Sequence, residues 1–124
     1  MKKKKILLID DEKKILDLYC RKLGKEGFEV ECIDNGSGAL KFAKKFKPDL
    51  VLLDIMMKDV DGYQVIKKFK TKKDTRDVPI VMLSNLGHGE AIEKGILSGA
   101  DDFIVKINYT PEEVVEKVRM FFKK

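Results

Sequence analysis

Long hydrophobic runs are missing from this chain. Its apolar stretches stop at four residues, as in "ILLI" (6–9) and "LVLL" (50–53), far short of the ~20 needed to span a bilayer. The basic start "MKKKK" is followed by a run too short for the ~7–15-residue core of a signal peptide, so a cytoplasmic protein without a membrane segment is expected. Cysteine occurs twice. Cys20 and Cys32 fall on different predicted elements with no Cys or His at zinc-ligand spacing, and a reduced, partly buried state is expected for both. The only histidine, His88, lies in the glycine-flanked loop "NLGHGE" and reads as solvated rather than as a phosphoryl relay. Linkers, internal repeats and low-complexity segments are absent beyond the lysine-rich ends. One domain over residues 1–124 is expected, with no room for an attached output domain.

What is present is globular: 44% of residues are hydrophobic and 38% charged, with a net charge of +5. The excess comes from lysines in "KFAKKFK" and "KKFKTKKD", mostly at helical spacing on a face expected to meet water. Nucleic acid is not an expected partner, because Phe42, Phe46 and Phe69 fall where a helix would bury them rather than where bases could stack. The abundance of lysine over arginine, 23 against 3, accompanies heat adaptation in many proteins.

Four short continuous runs, "ILLI" (6–9), "LVLL" (50–53), "IVML" (80–83) and "FIV" (103–105), read as strands buried on both faces of a parallel sheet. "FEVEC" (28–32) alternates and belongs at a half-exposed sheet edge. Between them lie stretches of helical period, carried by Ile15, Leu16, Tyr19 and Leu23, by Leu40, Ala43 and Phe46, by Val65, Ile66 and Phe69, and by Ile92 and Ile96. The last helix has the clearest start, because "TPEE" sets Thr110 at the cap, Pro111 at the first position and Glu113 three residues on. Val114, Val115, Val118, Phe121 and Phe122 give it an apolar face. Five strand–helix alternations predict an α/β fold with a doubly wound parallel sheet of order 2-1-3-4-5, whose ligand sits outside the carboxyl ends of strands 1 and 3.

The residues that follow each buried run answer to that position. Asp10 and Asp11 end the first strand, Asp54 the third, Ser84 the fourth and Lys106 the fifth. Parallel strands end on one side, so three carboxylates, a hydroxyl and an ammonium converge. Three adjacent carboxylates need a counter-charge, and Mg²⁺ suits a site of few carboxylates that keeps positions open for water and a phosphoryl oxygen. Phosphoryl transfer uses each part. Asp54 is the candidate nucleophile, which would form an acyl phosphate. Asp11 would bind metal directly and Asp10 directly or through water, Lys106 offers a point charge, and Ser84 offers a donor to a phosphoryl oxygen. A lone Asp after a strand is usually a helix cap and a lone Lys usually solvated. The coincidence at four strand ends argues for a site.

These residues resemble the receiver domains of two-component response regulators, of the chemotaxis-type single-domain kind with a flavodoxin-like sandwich. The marks are "IDDE", "LLDIMMKDVDG", "LSN" and "GADDFIVK" with the alternation itself. The resemblance implies that Asp54 accepts a phosphoryl group from a sensor histidine kinase or histidine phosphotransfer protein. It implies Mg²⁺, or Mn²⁺ in its place, held by Asp11, Asp54 and the backbone carbonyl of Met56 with Asp10 in support. Ser84 and Phe103 would form a switch acting on the surface of the fourth helix, fifth strand and fifth helix, read by a downstream protein or by a second copy on phosphorylation. Two departures stand out. Ile107 follows Lys106 where the family usually has a cis-linked Pro, so a trans bond and a reshaped loop are expected. Lys58 stands where the family often has Pro. Met56 and Leu86 would flank the path of an attacking water without orienting it, which predicts a long-lived aspartyl phosphate.

The competing readings are weaker. An aspartyl-nucleophile phosphatase would want an acid two residues after Asp54, where Met56 stands, so the chain is not expected to be an enzyme beyond its own phosphorylation and dephosphorylation. A degenerate receiver acting as a phosphorylation-independent binding module would have less need for the intact acidic set. Gly62, Asp59 and Asp61 read as turn residues.

Overall fold

The computed structural model describes residues 3–85 and 89–123. Five strands, β1 (Lys5–Ile9), β2 (Glu29–Ile33), β3 (Leu50–Leu53), β4 (Ile80–Ser84) and β5 (Asp102–Val105), alternate with five helices. These are α1 (Lys13–Lys25), α2 (Ala39–Phe46), α3 (Gly62–Thr71), α4 (Gly89–Ser98) and α5 (Pro111–Phe122). All strand pairs are parallel and the sheet order is β2-β1-β3-β4-β5, as the alternation predicts. The pairings Ile9 with Ile33, Ile9 with Leu53 and Ser84 with Val105 bring the carboxyl ends into line.

Side chains of one strand point to opposite faces, so the continuous apolar runs divide between two cores. Leu7, Ile9, Val51, Leu53, Ile80 and Met82 meet Ala39 and Ala43 of α2 and Val65, Ile66 and Phe69 of α3. Ile6, Leu8, Leu50, Leu52, Val81 and Leu83 meet Leu16, Tyr19 and Leu23 of α1 and Val114, Val115 and Val118 of α5. Each Val, Leu, Ile, Met or Phe side chain among them contributes roughly 1.5–3 kcal/mol on burial. β2 alternates between exposed and half-buried residues at the sheet edge, as "FEVEC" implies. The start of α5 is also as read: Thr110 Oγ1 accepts from Glu113 N at 3.1 Å and Glu113 Oε1 accepts from Thr110 N at 2.9 Å, with Pro111 inside the turn.

Two expectations need correction. Cys20 of α1 and Cys32 of β2 are joined in a disulfide. The first helix lies against the edge strand, so residues from two elements meet at a Cα separation of 6.2 Å, within bridging range. Helix α4 buries Ala91 and Gly95, leaving Ile96 48% and Leu97 79% exposed. Its inner face is small because Phe103 and Met82 lie against it; a Cβ on Gly95 would stand 3.5 Å from Phe103 Cδ2 and 3.6 Å from Met82 Cγ.

No cis peptide occurs among the described residues. Lys106–Asn108 form a 3₁₀ turn, and the bond from Lys106 to Ile107 is trans, as expected where Ile107 replaces proline. Among the described residues no helix is long and apolar enough to cross a membrane.

Candidate phosphoacceptor and metal site

The strand ends supply the site directly. Asp10 leaves β1 and Asp54 leaves β3, their backbones tied to neighbouring strands by Asp10 N to Ile33 O (3.2 Å) and Asp54 N to Ile9 O (2.9 Å). Carboxylate oxygens of Asp10, Asp11 and Asp54 all lie within 4.8 Å of one another. Lys106 Nζ, nearly buried, stands 2.5 Å from Asp10 Oδ2 and 3.9 Å from Asp54 Oδ2. Its main partner is therefore Asp10, itself 1% exposed, rather than Asp54. The other oxygen of Asp10 accepts from Glu12 N at 2.9 Å, so Asp10 is both the local turn residue and the anchor of the ammonium.

Asp54 lies at the floor of an open cavity of about 250 Å³ lined by Asp11, Glu12, Met56, Ser84, Asn85 and Lys106. Met56 N donates to Asp54 Oδ1 at 3.4 Å and the Ser84 hydroxyl hydrogen-bonds the same carboxylate. Burial pushes the Asp54 carboxyl above its ordinary range, with the Asp10 charge adding to it. The Lys106 ammonium and the two hydrogen bonds oppose that shift without cancelling it. Phe103 on β5 is half-buried against the core shared with α3 and the Gly95 face of α4. The structure thus brings Asp10, Asp11, Asp54, Ser84 and Lys106 together on one rim, with Met56, 65% exposed, at its mouth. Leu86, Gly87 and His88 lie outside the described residues.

Backbone donors shape the site in ways that side-chain patterns do not announce. Lys58 N donates to Asp11 Oδ2 at 2.8 Å, a bond a proline there would lack. Asp59 accepts from Gly36 N (3.2 Å) and Ser37 N (2.8 Å), tying the loop after β2 to the loop after β3. These bonds hold its carboxyl down at about 2. Asp61 caps α3 through Gln64 N at 2.8 Å. Gly62 is needed for close approach, since a Cβ there would meet Asp54 O and Ile55 Cα at 2.7 Å. Glu12 and Asn85 were the members of the rim without an assigned role; their only signal was their place just past a strand end.

The donor set fits Mg²⁺. Hard carboxylate oxygens are the ligands this cation takes, and Asp10, Asp11 and Asp54 offer three of them within 4.8 Å of one another. Three carboxylates facing one ammonium leave a negative balance for a cation to neutralise.

A family model described as "Response regulator receiver domain" matches residues 6–119. The chain belongs to that family. Among curated relatives, the phosphate regulon transcriptional regulatory protein PhoB of Escherichia coli is 36% identical over 122 residues, covering 98% of this chain and 52% of PhoB. The DNA-binding dual master transcriptional regulator RpaA of Synechocystis is 34% identical over 97% of this chain and 49% of its own length. This receiver spans about half the length of the curated relatives it matches. Solved structures agree: the Vibrio cholerae chemotaxis protein CheY4 superposes with a TM-score of 0.89 at 27% identity, covering 96% of this chain and 98% of that one. A putative response regulator of Chloroflexus aurantiacus gives 0.90 at 28%, covering 99% and 100%. The receiver therefore has the CheY-like fold of two-component regulators.

Proposed function

We propose that this receiver is a working phosphoacceptor, with Asp54 as the acceptor. The observation that carries the reading is the geometry around Asp54: a nearly buried carboxylate at a cavity floor, 3.9 Å from the Lys106 ammonium and beside Asp10 and Asp11. In the proposed step an Asp54 oxygen attacks the phosphorus of a phosphohistidine on a sensor kinase or phosphotransfer protein. The new bond is Asp54 O–P; the P–N bond breaks, and the imidazole nitrogen keeps the electron pair and takes up a proton. Lys106 neutralises charge gathering on the transferred oxygens. The Ser84 hydroxyl changes acceptor from the carboxylate to a phosphoryl oxygen. Asp11, Asp54 and the Met56 carbonyl would hold Mg²⁺ or Mn²⁺, with Asp10 in support, and the ion would supply charge neutralisation on the phosphoryl group.

The reaction is self-modification, so the protein is proposed to be a signalling module rather than an enzyme, working in the cytoplasm. Movement of Ser84 would free space for the Phe103 ring and alter the α4–β5–α5 face, the proposed site for a downstream protein or a second phosphorylated copy. Met56 at the cavity mouth offers no donor or acceptor strong enough to orient a water, which supports slow loss of the phosphoryl group; loss within seconds at neutral pH would contradict this.

Intact mass after incubation with Mg²⁺ and acetyl phosphate tests the reading. A hydroxylamine-labile gain of one phosphoryl group, absent in Asp54→Ala and with chelator, is expected. No gain from either acetyl phosphate or phosphorylated histidine kinases would favour the degenerate, phosphorylation-independent module.

A further inference from the structure

The charge of the chain is unevenly spread. Residues 39–47 and 62–73, which hold α2, α3 and their C-terminal ends, contain nine lysines and no Asp or Glu. The rest of the chain is left with 17 basic against 21 acidic residues, so the net charge of +5 is a +9 pair of helices on a −4 remainder. One of the nine, Lys70, turns inward to the carbonyls of Arg76 and Val78 and to Asp101. The other eight are exposed, and none makes an ion pair among the described residues. Two loop carboxylates flanking these helices are engaged by backbone: Asp59 accepts from Gly36 and Ser37, and Asp61 caps α3.

Between the two helices runs a groove of about 190 Å³. Leu40, Val65 and Phe69 line it with apolar surface, Gly36 and Ser37 close one end, and Lys41 and Lys68 complete its lining. We propose that this groove docks an acidic segment of a partner protein, one that seats an apolar side chain between α2 and α3 and sets carboxylates against Lys41 and Lys68. It shares no residue with the Asp54 cavity or the α4–β5–α5 face.

Other polyanions fit less well. The large exposed apolar side chains, Leu18, Met56, Ile96, Leu97, Ile107 and Met120, all lie off α2 and α3, so nothing there inserts into a lipid surface. Phe42 and Phe46 are half-buried and packed on the core, which removes a stacking platform for bases. The ridge holds lysine only, without the arginine fork that reads base edges. An apolar slot between lysines matches a segment carrying both an anchor and carboxylates.

The test is fluorescence anisotropy with a labelled synthetic peptide in which one Leu is flanked on both sides by Glu, at low and at physiological salt. Binding that weakens with salt is expected, with about a tenfold loss when the peptide Leu becomes Ser. A loss of about tenfold is also expected for the double variant Lys41→Gln/Lys68→Gln, against less than about twofold for Lys13→Gln/Lys14→Gln on α1. Unchanged melting temperatures establish that each variant is folded. The proposal is overturned by no binding at low salt, by equal losses in the two double variants, or by indifference to the Leu→Ser change. Tighter binding to a DNA duplex or to phosphatidylserine vesicles than to the peptide overturns it as well.

Discussion

Asp54 is placed where its charge is useful and its burial is costly. Desolvation and the neighbouring Asp10 raise its carboxyl above the ordinary range despite Lys106. A group whose folded pKa exceeds its unfolded value destabilises the fold when ionised. That penalty is fully present above the folded pKa and vanishes below the unfolded value of ~3.9. Asp54→Asn keeps an acceptor for the Ser84 hydroxyl and removes the charge. The metal-free variant should therefore melt higher than the wild type at pH 7, and the two curves should converge as pH falls below about 4; thermal melts across that range would check it. A variant that melts lower at pH 7 would mean that the Lys106–Asp54 attraction outweighs desolvation. Gly62 is the second residue-scale constraint. With Asp54 O and Ile55 Cα each 2.7 Å from the site of its missing Cβ, Gly62→Ala forces backbone, not a flexible side chain, to move. Overpacking of this kind costs roughly 1–3 kcal/mol. Because the displaced carbonyl belongs to Asp54, the proposed acceptor, phosphoryl gain in the intact-mass assay should fall along with stability.

At the scale of elements, what could be read in advance was whatever depends on chain periodicity, and what could not was whatever depends on one element meeting another. The two-sided strands and the Thr110–Glu113 box were legible because each is a local pattern with one physical solution, and the sheet order followed from the five strand–helix alternations because doubly wound parallel sheets admit few arrangements. The inner face of α4 was not. Ile92 and Ile96 carry the hydrophobic signal, but the space beneath the helix is taken by Phe103 and Met82, so the small residues Ala91 and Gly95 face inward. The thiols failed for the same reason. Twelve positions separate Cys20 from Cys32, and only the packing of α1 on β2 reveals that they meet. In a chain-entropy account, a crosslink over that separation stabilises by up to about 3 kcal/mol. Reductant should lower the urea midpoint of the wild type and leave Cys20→Ser/Cys32→Ser, which starts lower, unmoved. A wild-type midpoint indifferent to reductant would return the pair to the free-thiol state that their spacing suggested.

Taken whole, the molecule gathers negative charge at the carboxyl ends of its strands and positive charge on two helices of one flank. The acidic cluster was visible in the sequence because parallel strands must end together, so residues 10, 11 and 54 had one place to go. Its internal pairing was not, since Lys106 could have turned to either carboxylate and only the packed structure sets it 2.5 Å from Asp10. That pairing leaves Asp11, half-exposed, and Asp54 as the carboxylates with least compensation, within 4.8 Å of each other and of Asp10. A cation binding there stabilises the folded state alone, because the unfolded chain does not assemble the three groups. At a free Mg²⁺ concentration of a hundred times Kd the gain is about 2.7 kcal/mol, or roughly 10 °C in Tm for a domain of this size. Sodium chloride at the same ionic strength should reproduce little of it, because screening acts on all charges and coordination on one site. Asp11→Ala deletes a proposed ligand that is held by Lys58 N at the surface rather than in the core, so the variant should fold and lose most of the Mg²⁺ shift. Asp54→Asn, already relieved of its own charge, should start higher and gain less from the metal. Equal shifts in wild type and Asp11→Ala would place the ion elsewhere and remove the metal from the proposed phosphoryl chemistry.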